Sequence, residues 1–91
     1  MIEKTFVVSN RLGLHARPAS MFVMTTGRFR SNVKVIKDHQ EVDGKSIMGL
    51  LMLAAAPGTE LKIIIDGPDE TQLIGALDDL FARKFDDEDN K

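Results

Sequence analysis

A 91-residue chain that is 43% hydrophobic is long enough for one domain with one core. The absence of cysteine excludes disulfides and cysteine-ligated metal and suits a reducing cytoplasm, and a formal charge of -2 excludes a general attraction to nucleic acid. The longest purely apolar run, Leu50 to Ala56, is too short to cross a membrane, and Met1-Ile2-Glu3-Lys4 shows no charged-then-apolar leader.

In chain order, Thr5 to Ser9 alternates as a strand with Phe6 and Val8 turned to the core. The next segment reads as a helix that runs to about Thr26 and stops at Gly27. Ala16, Ala19, Phe22, Val23 and Thr26 share its apolar face, and Pro18 lies in its first turn. Asn32 to Lys37 is a second strand with Val33 and Val35 inward, and Gln40 to Asp43 returns from a turn at Asp38-His39. Ser46 caps a short helix from Ile47, in which Leu50 and Leu53 are the core positions. Ala54 to Gly58 forms a turn, and Glu60 to Asp66 is a strand with Leu61, Ile63 and Ile65 on one face. Pro68 sits near the first position of a last helix, with Asp69 and Glu70 in its first turn and a buried stripe of Leu73, Leu77, Leu80 and Phe81. Residues 1–85 form the single domain. The acidic tail 86–91 is expected to be poorly ordered, with order fading beyond Arg83-Lys84.

Four strands and three helices in so short a chain predict an α+β fold with all helices on one face of one sheet. The short turn at Asp38-His39 predicts antiparallel pairing of strands two and three.

The chemistry concentrates in Asn10 to Met24. His15 falls at or beside the N-cap of the first helix, where unpaired backbone N–H groups and a partial positive charge suit an anion. That positive end disfavours a second positive charge and so favours a neutral imidazole with a free lone pair, which is the nucleophilic form. A phosphoryl group taken up there would lie against the N–H groups of Ala16 and Arg17 and the Arg17 guanidinium. Gly13 lets the loop bend and a partner approach. A lone histidine before a helix is more often an ordinary surface residue, so residue types alone leave both readings open. His39 lies at a hairpin tip with no helix start after it. It is not a second acceptor, and with Asp38 and Glu41 it makes no credible metal site.

Two separated blocks resolve the choice. Gly13-Leu14-His15-Ala16-Arg17-Pro18-Ala19 resembles the active-site signature of the HPr family, the histidine phosphocarriers of the sugar phosphotransferase system. Lys45-Ser46-Ile47-Met48-Gly49-Leu50 resembles that family's regulatory-serine segment. Asn10-Arg11-Leu12-Gly13-Leu14-His15, Leu50-Leu51-Met52-Leu53 and Phe85-Asp86-Asp87-Glu88-Asp89 look most like the family's nitrogen-branch member, NPr. The resemblance implies an open-faced β-sandwich of βαββαβα order, with strand order 1-4-2-3. It also implies a stoichiometric carrier rather than an enzyme, one that takes a phosphoryl group on His15 from enzyme I charged by phosphoenolpyruvate. The group would pass to an EIIA component, with no cofactor and no metal. The branch likeness implies nitrogen-type partners and a regulatory output, and Ser46 becomes a candidate for phosphorylation by an HPr kinase/phosphorylase. The alternatives are a sugar-uptake HPr, or a non-relay regulatory binding module controlled through Ser46. A monomeric cytoplasmic protein that binds neither nucleic acid nor membrane completes the expectation.

Docking residues follow from an excess of apolar positions. Ile47, Met48, Leu51 and Met52 exceed what the short helix needs for its core face. Met21 and Met24 lie off the buried face of the first helix, beside Ser20. These residues are expected to form an exposed, adaptable patch for several partners.

Overall fold

The computed structural model describes residues 1–86. The predicted disorder of the acidic tail falls on residues 87–91, outside the described residues. The elements are β1 (Ile2–Val7), α1 (Ala16–Thr26), β2 (Asn32–Lys37), β3 (Gln40–Asp43), α2 (Ile47–Leu53), β4 (Glu60–Asp66) and α3 (Glu70–Ala82). A 3-10 turn, Lys84–Asp86, follows α3.

All strand pairs are antiparallel and the sheet order is β1-β4-β2-β3, as the family resemblance implies. β4 is central, and its alternation sets the register: Leu61 lies opposite Phe6, and Ile63 opposite both Lys4 and Val35. Leu61, Ile63, Ile65, Val33, Val35 and Phe6 point from the sheet into the core beneath the helices. The other face carries exposed ion pairs such as Lys62–Glu3 and Lys34–Glu41. Leu73, Leu77, Leu80 and Phe81 bury α3 along the predicted stripe. No helix among the described residues is long and apolar enough to cross a membrane.

Four expectations are corrected. β1 begins and ends earlier than Thr5 to Ser9, because Ile2 to Val7 pair along β4, while Val8 is buried in the connection beyond the strand. The buried face of α1 is Pro18, Ala19, Phe22, Thr25 and Thr26. Ala16, on the first turn at the rim, is exposed, and Val23 is only half-buried. Pro68 lies outside α3, whose N-cap is Asp69 and whose first turn holds only Glu70 as an acid. Order also continues past Lys84. Phe85 is buried and meets Phe81 edge-on at 4.8 Å, and Phe81 in turn meets Phe6 at 4.5 Å and Phe22 at 6.2 Å. This aromatic cluster ties β1, α1, α3 and the final turn, at about 0.5–1.5 kcal/mol per ring pair beyond area burial.

Asp69 explains the late start of α3. Its carboxylate is drawn away from capping to accept from the Ser31 hydroxyl at 2.5 Å and from the N–H groups of Arg30 and Ser31, each at 2.9 Å. These bonds, the Ser31 hydroxyl first among them, hold its acidity below that of an ordinary aspartate. The resulting stability is fully present above the unfolded-state value and is lost as pH falls through the folded-state value. Asp69→Asn is therefore expected to lower the Tm at neutral pH, with the gap to wild type narrowing as pH falls below the ordinary aspartate range. Calorimetry across that range checks it, and a gap that stays constant would remove the clamp.

Candidate functional site

The candidate acceptor is carried by the connection from β1 to α1. Val8 leaves the sheet with its N–H donated to Thr59 O at 2.9 Å, and its carbonyl accepts from Gly58 N–H at 2.7 Å. Asn10 is fully buried. Its Nδ2 donates to Gly13 O at 2.6 Å, and Gly13 N–H returns to Asn10 O at 3.2 Å. This closes a tight turn around Arg11 and Leu12. Leu14 plugs the core, and its N–H donates to Ala55 O at 2.8 Å. Gly13 adopts φ +75°, and a Cβ placed there would stand 2.5 Å from the same Ala55 O. Only glycine meets both demands.

His15 follows as the N-cap of α1, with extended backbone at φ -92° and its carbonyl accepting from Ala19 N–H at 3.0 Å. Its side chain makes no capping bond. The ring is therefore not committed to the role that Ser or Asp plays at most helix starts. It is half-buried at the rim. The N–H groups of Ala16 and Arg17 precede the first intrahelical bond, and Pro18 has none to offer. Arg17 is exposed two residues beyond His15. An imidazole, two outward N–H groups and a guanidinium thus share one helix end, an arrangement able to take and hold a phosphoryl group.

Beside the ring lies an open cavity of about 410 Å³. It is walled by Leu12, Leu14, Ala16 and Leu51 and by the stretch from Ala54 to Pro57. Leu12 is 63% exposed there, next to the imidazole. Sequence reading did not single out Leu12 as a site residue. An apolar side chain in an otherwise polar loop was the available signal. Asn10 and the Ala55 carbonyl were also missed. A buried asparagine looks like any turn residue in sequence, and a backbone carbonyl leaves no trace there.

Ser46 caps α2, its Oγ accepting from Gly49 N–H at 3.1 Å. It begins the helix whose far end carries Ala54 and Ala55, about 10 Å away along the axis. Ser46 is thus not part of the His15 cradle. The two sites share α2 and the surface it presents. Met24, Met48 and Met52 are 64–68% exposed, and Ile47 is exposed beside Met48. Met21, Leu51 and Ser20 are half-buried. Met21 and Leu51 pack against the core, and Ser20 Oγ lies 4.0 Å from Met24 Sδ. His39 is exposed at the β2–β3 turn, where Asp38 takes φ 55°.

The family model described as PTS-HPr, the PTS HPr component phosphorylation site, matches residues 2–83. The chain is 43% identical over 88 residues to phosphocarrier protein HPr of Treponema pallidum, covering 97% of this chain and 100% of that one. It is 46% identical over 85 residues to the HPr of Neisseria meningitidis, covering 93% and 96%. The crystal structure of HPr-C-His from Thermoanaerobacter tengcongensis superposes with a TM-score of 0.92 at 44% identity, covering 97% and 99%.

The tight fit of Gly13 against Ala55 O should show in stability. Gly13→Ala places a Cβ against Ala55 O and forces a side chain into a left-handed conformation, which together are expected to cost about 2 kcal/mol or more. Urea unfolding measures this directly. An unchanged midpoint would mean that the loop is not held where described.

Proposed function

We propose, for a chain that belongs to the HPr family of phosphotransferase-system phosphocarriers, a reversible phosphoryl relay centred on His15. Members of this family carry a phosphoryl group and are not catalytic enzymes, and that holds for this chain. The observation that carries the site assignment is the N-cap position of a histidine whose side chain does not cap.

A phosphohistidine of enzyme I is the donor. The lone pair of one His15 ring nitrogen attacks phosphorus in line. The new N–P bond forms as the donor's N–P bond breaks, and that electron pair returns to the donor's imidazole. Little covalent work falls to the protein, so positioning and charge stabilisation dominate. Arg17 and the N–H groups of Ala16 and Arg17 meet the phosphoryl oxygens. Their grip is limited by exposure, which leaves the group transferable to a histidine of an EIIA component. Met24, Ile47, Met48 and Met52, with Ser20, Met21 and Leu51 behind them, supply the docking surface, and Leu12 extends it to the edge of the ring. Flexible thioethers suit a surface that must meet two different partners.

The finer assignments rest on particular residues. The Asn10 to His15 loop, the Leu50 to Leu53 stretch and the Phe85 to Asp89 ending support nitrogen-type enzyme I and EIIA as partners and a regulatory output. Ser46 supports control by a kinase. Its Oγ already faces the first N–H groups of α2, so a phosphate there would strengthen the helix. It would also set negative charge beside Ile47 and Met48 and repel an acidic partner. The protein acts as a cytoplasmic monomer.

Incubation with enzyme I and labelled phosphoenolpyruvate tests the reading. His15→Ala is expected to take up no label, whereas Arg17→Ala takes it up about 10- to 100-fold more slowly with the fold intact. Full labelling of the alanine variant at position 15 would refute the acceptor, and an unchanged rate for the other would strip Arg17 of its role. Met48→Asp is expected to raise the KM for enzyme I roughly tenfold without lowering the Tm. Unaltered transfer kinetics would move the interface elsewhere.

A further inference from the structure

We infer that Lys37 is a positioning residue for His15, acting through the C-terminal end of α2. The inference rests on His15 being the acceptor. Its own observation is a chain of contacts that starts on the opposite side of the loop.

α2 carries no basic residue in its last turn, although a helix C-terminus gathers partial negative charge and unpaired carbonyls. The charge is supplied from another element. Lys37, the last residue of β2, is half-buried, and its Nζ donates to Leu53 O at 2.9 Å. Ala54 then closes the helix at φ 50°, ψ 46°, donating its N–H to Leu51 O at 3.1 Å. That left-handed conformation is one an alanine holds only when its surroundings impose it. Ala55 comes next, buried, and its carbonyl is the acceptor for Leu14 N–H at 2.8 Å. Leu14 directly precedes His15.

Lys37 thus fixes the carbonyl two residues ahead of the one that fixes the His15 loop, with a strained residue between them. The strain explains why a side chain so remote would matter. Without the ammonium, Leu53 O loses its partner and Ala54 loses one constraint on its unfavourable φ. The Ala55 carbonyl would then no longer be aimed at Leu14. Lys37 touches neither His15 nor Arg17 in this chain of bonds, so its effect falls on placement of the ring and not on the phosphoryl group. A misplacement of the order of 1 Å is enough to slow in-line transfer severely.

The test uses Lys37→Met, which keeps an unbranched apolar side chain and removes the charge, and Lys37→Arg, which keeps a donor for Leu53 O. Transfer from phosphorylated enzyme I is followed at varied enzyme I concentration, alongside amide hydrogen exchange. For Lys37→Met the expectation is a roughly tenfold fall in kcat with KM within about twofold of wild type. Exchange should rise selectively at Leu14 while the β4 amides keep their protection, and Lys37→Arg should restore both. A purely structural role would loosen Leu14 and β4 together, which would overturn the inference. So would unaltered transfer, or a defect confined to KM. If Lys37→Met does not fold, Lys37→Leu, which likewise lacks a donor, is measured in its place against the same outcomes. Wild-type protein and His15→Ala run in parallel keep the two claims apart. Loss of label in His15→Ala with normal kinetics in Lys37→Met sinks only the positioning role, whereas persistent label in His15→Ala sinks the acceptor itself.

Discussion

The site depends on one backbone hydrogen bond, from Leu14 N–H to Ala55 O at 2.8 Å. It joins the exit of β1 to the connection between α2 and β4, two stretches some forty residues apart in the chain. Gly13 fits against the same carbonyl only because it lacks a Cβ, so the glycine and the bond enforce each other. Leu14 beside them is inserted in the core, which makes the loop as firmly held as the interior it penetrates. The backbone of the loop thereby delivers His15 to the first position before a helix.

That separation of duties suits a carrier. A ring that caps its helix spends its donors and acceptors on structure. Here Asn10, Gly13, Leu14 and Ala55 hold the loop, and the His15 side chain, half-buried at the rim, makes no capping bond. The same division appears at the opposite edge of the molecule. Asp69 forgoes capping α3 and instead binds Arg30 and Ser31, which fixes the end of the α1–β2 connection against the start of α3. With the loops tied at both ends, α1 and α2 can expose methionines rather than bury them, and the core loses nothing because Phe22, Leu50 and Leu53 already fill it.

Much of this was legible in the sequence. The bounds of α1, β2, β3, α2 and β4 follow from alternation, helical spacing and breakers such as Gly27 and the Ala54 to Gly58 turn, and the structure agrees with each. His15 at a helix start and Ser46 as a cap were readable for the same reason, since both depend on local order. What escaped depends on long-range partners. β1 starts at Ile2 because β4 offers a matching edge, not because of anything in Ile2-Glu3-Lys4. Phe85 falls where order is expected to fade, beyond Arg83-Lys84, and only its contact with Phe81 shows why it is buried. Ala16 has helical spacing but is the first residue of α1 and is exposed. The strand order came from family likeness and not from periodicity, because alternation is silent on which strands are neighbours.

The central claim is that a rim-exposed His15, placed by the Leu14–Ala55 bond, receives the phosphoryl group against the first N–H groups of α1. The most direct measurement is a pair of 1H–15N spectra of the labelled protein, before and after charging by enzyme I and phosphoenolpyruvate. The account predicts that the ring resonances of His15 move and those of His39 do not, with amide shifts largest at Ala16 and Arg17. A spectrum in which His39 changes instead, or in which Ala16 and Arg17 stay in place, contradicts it.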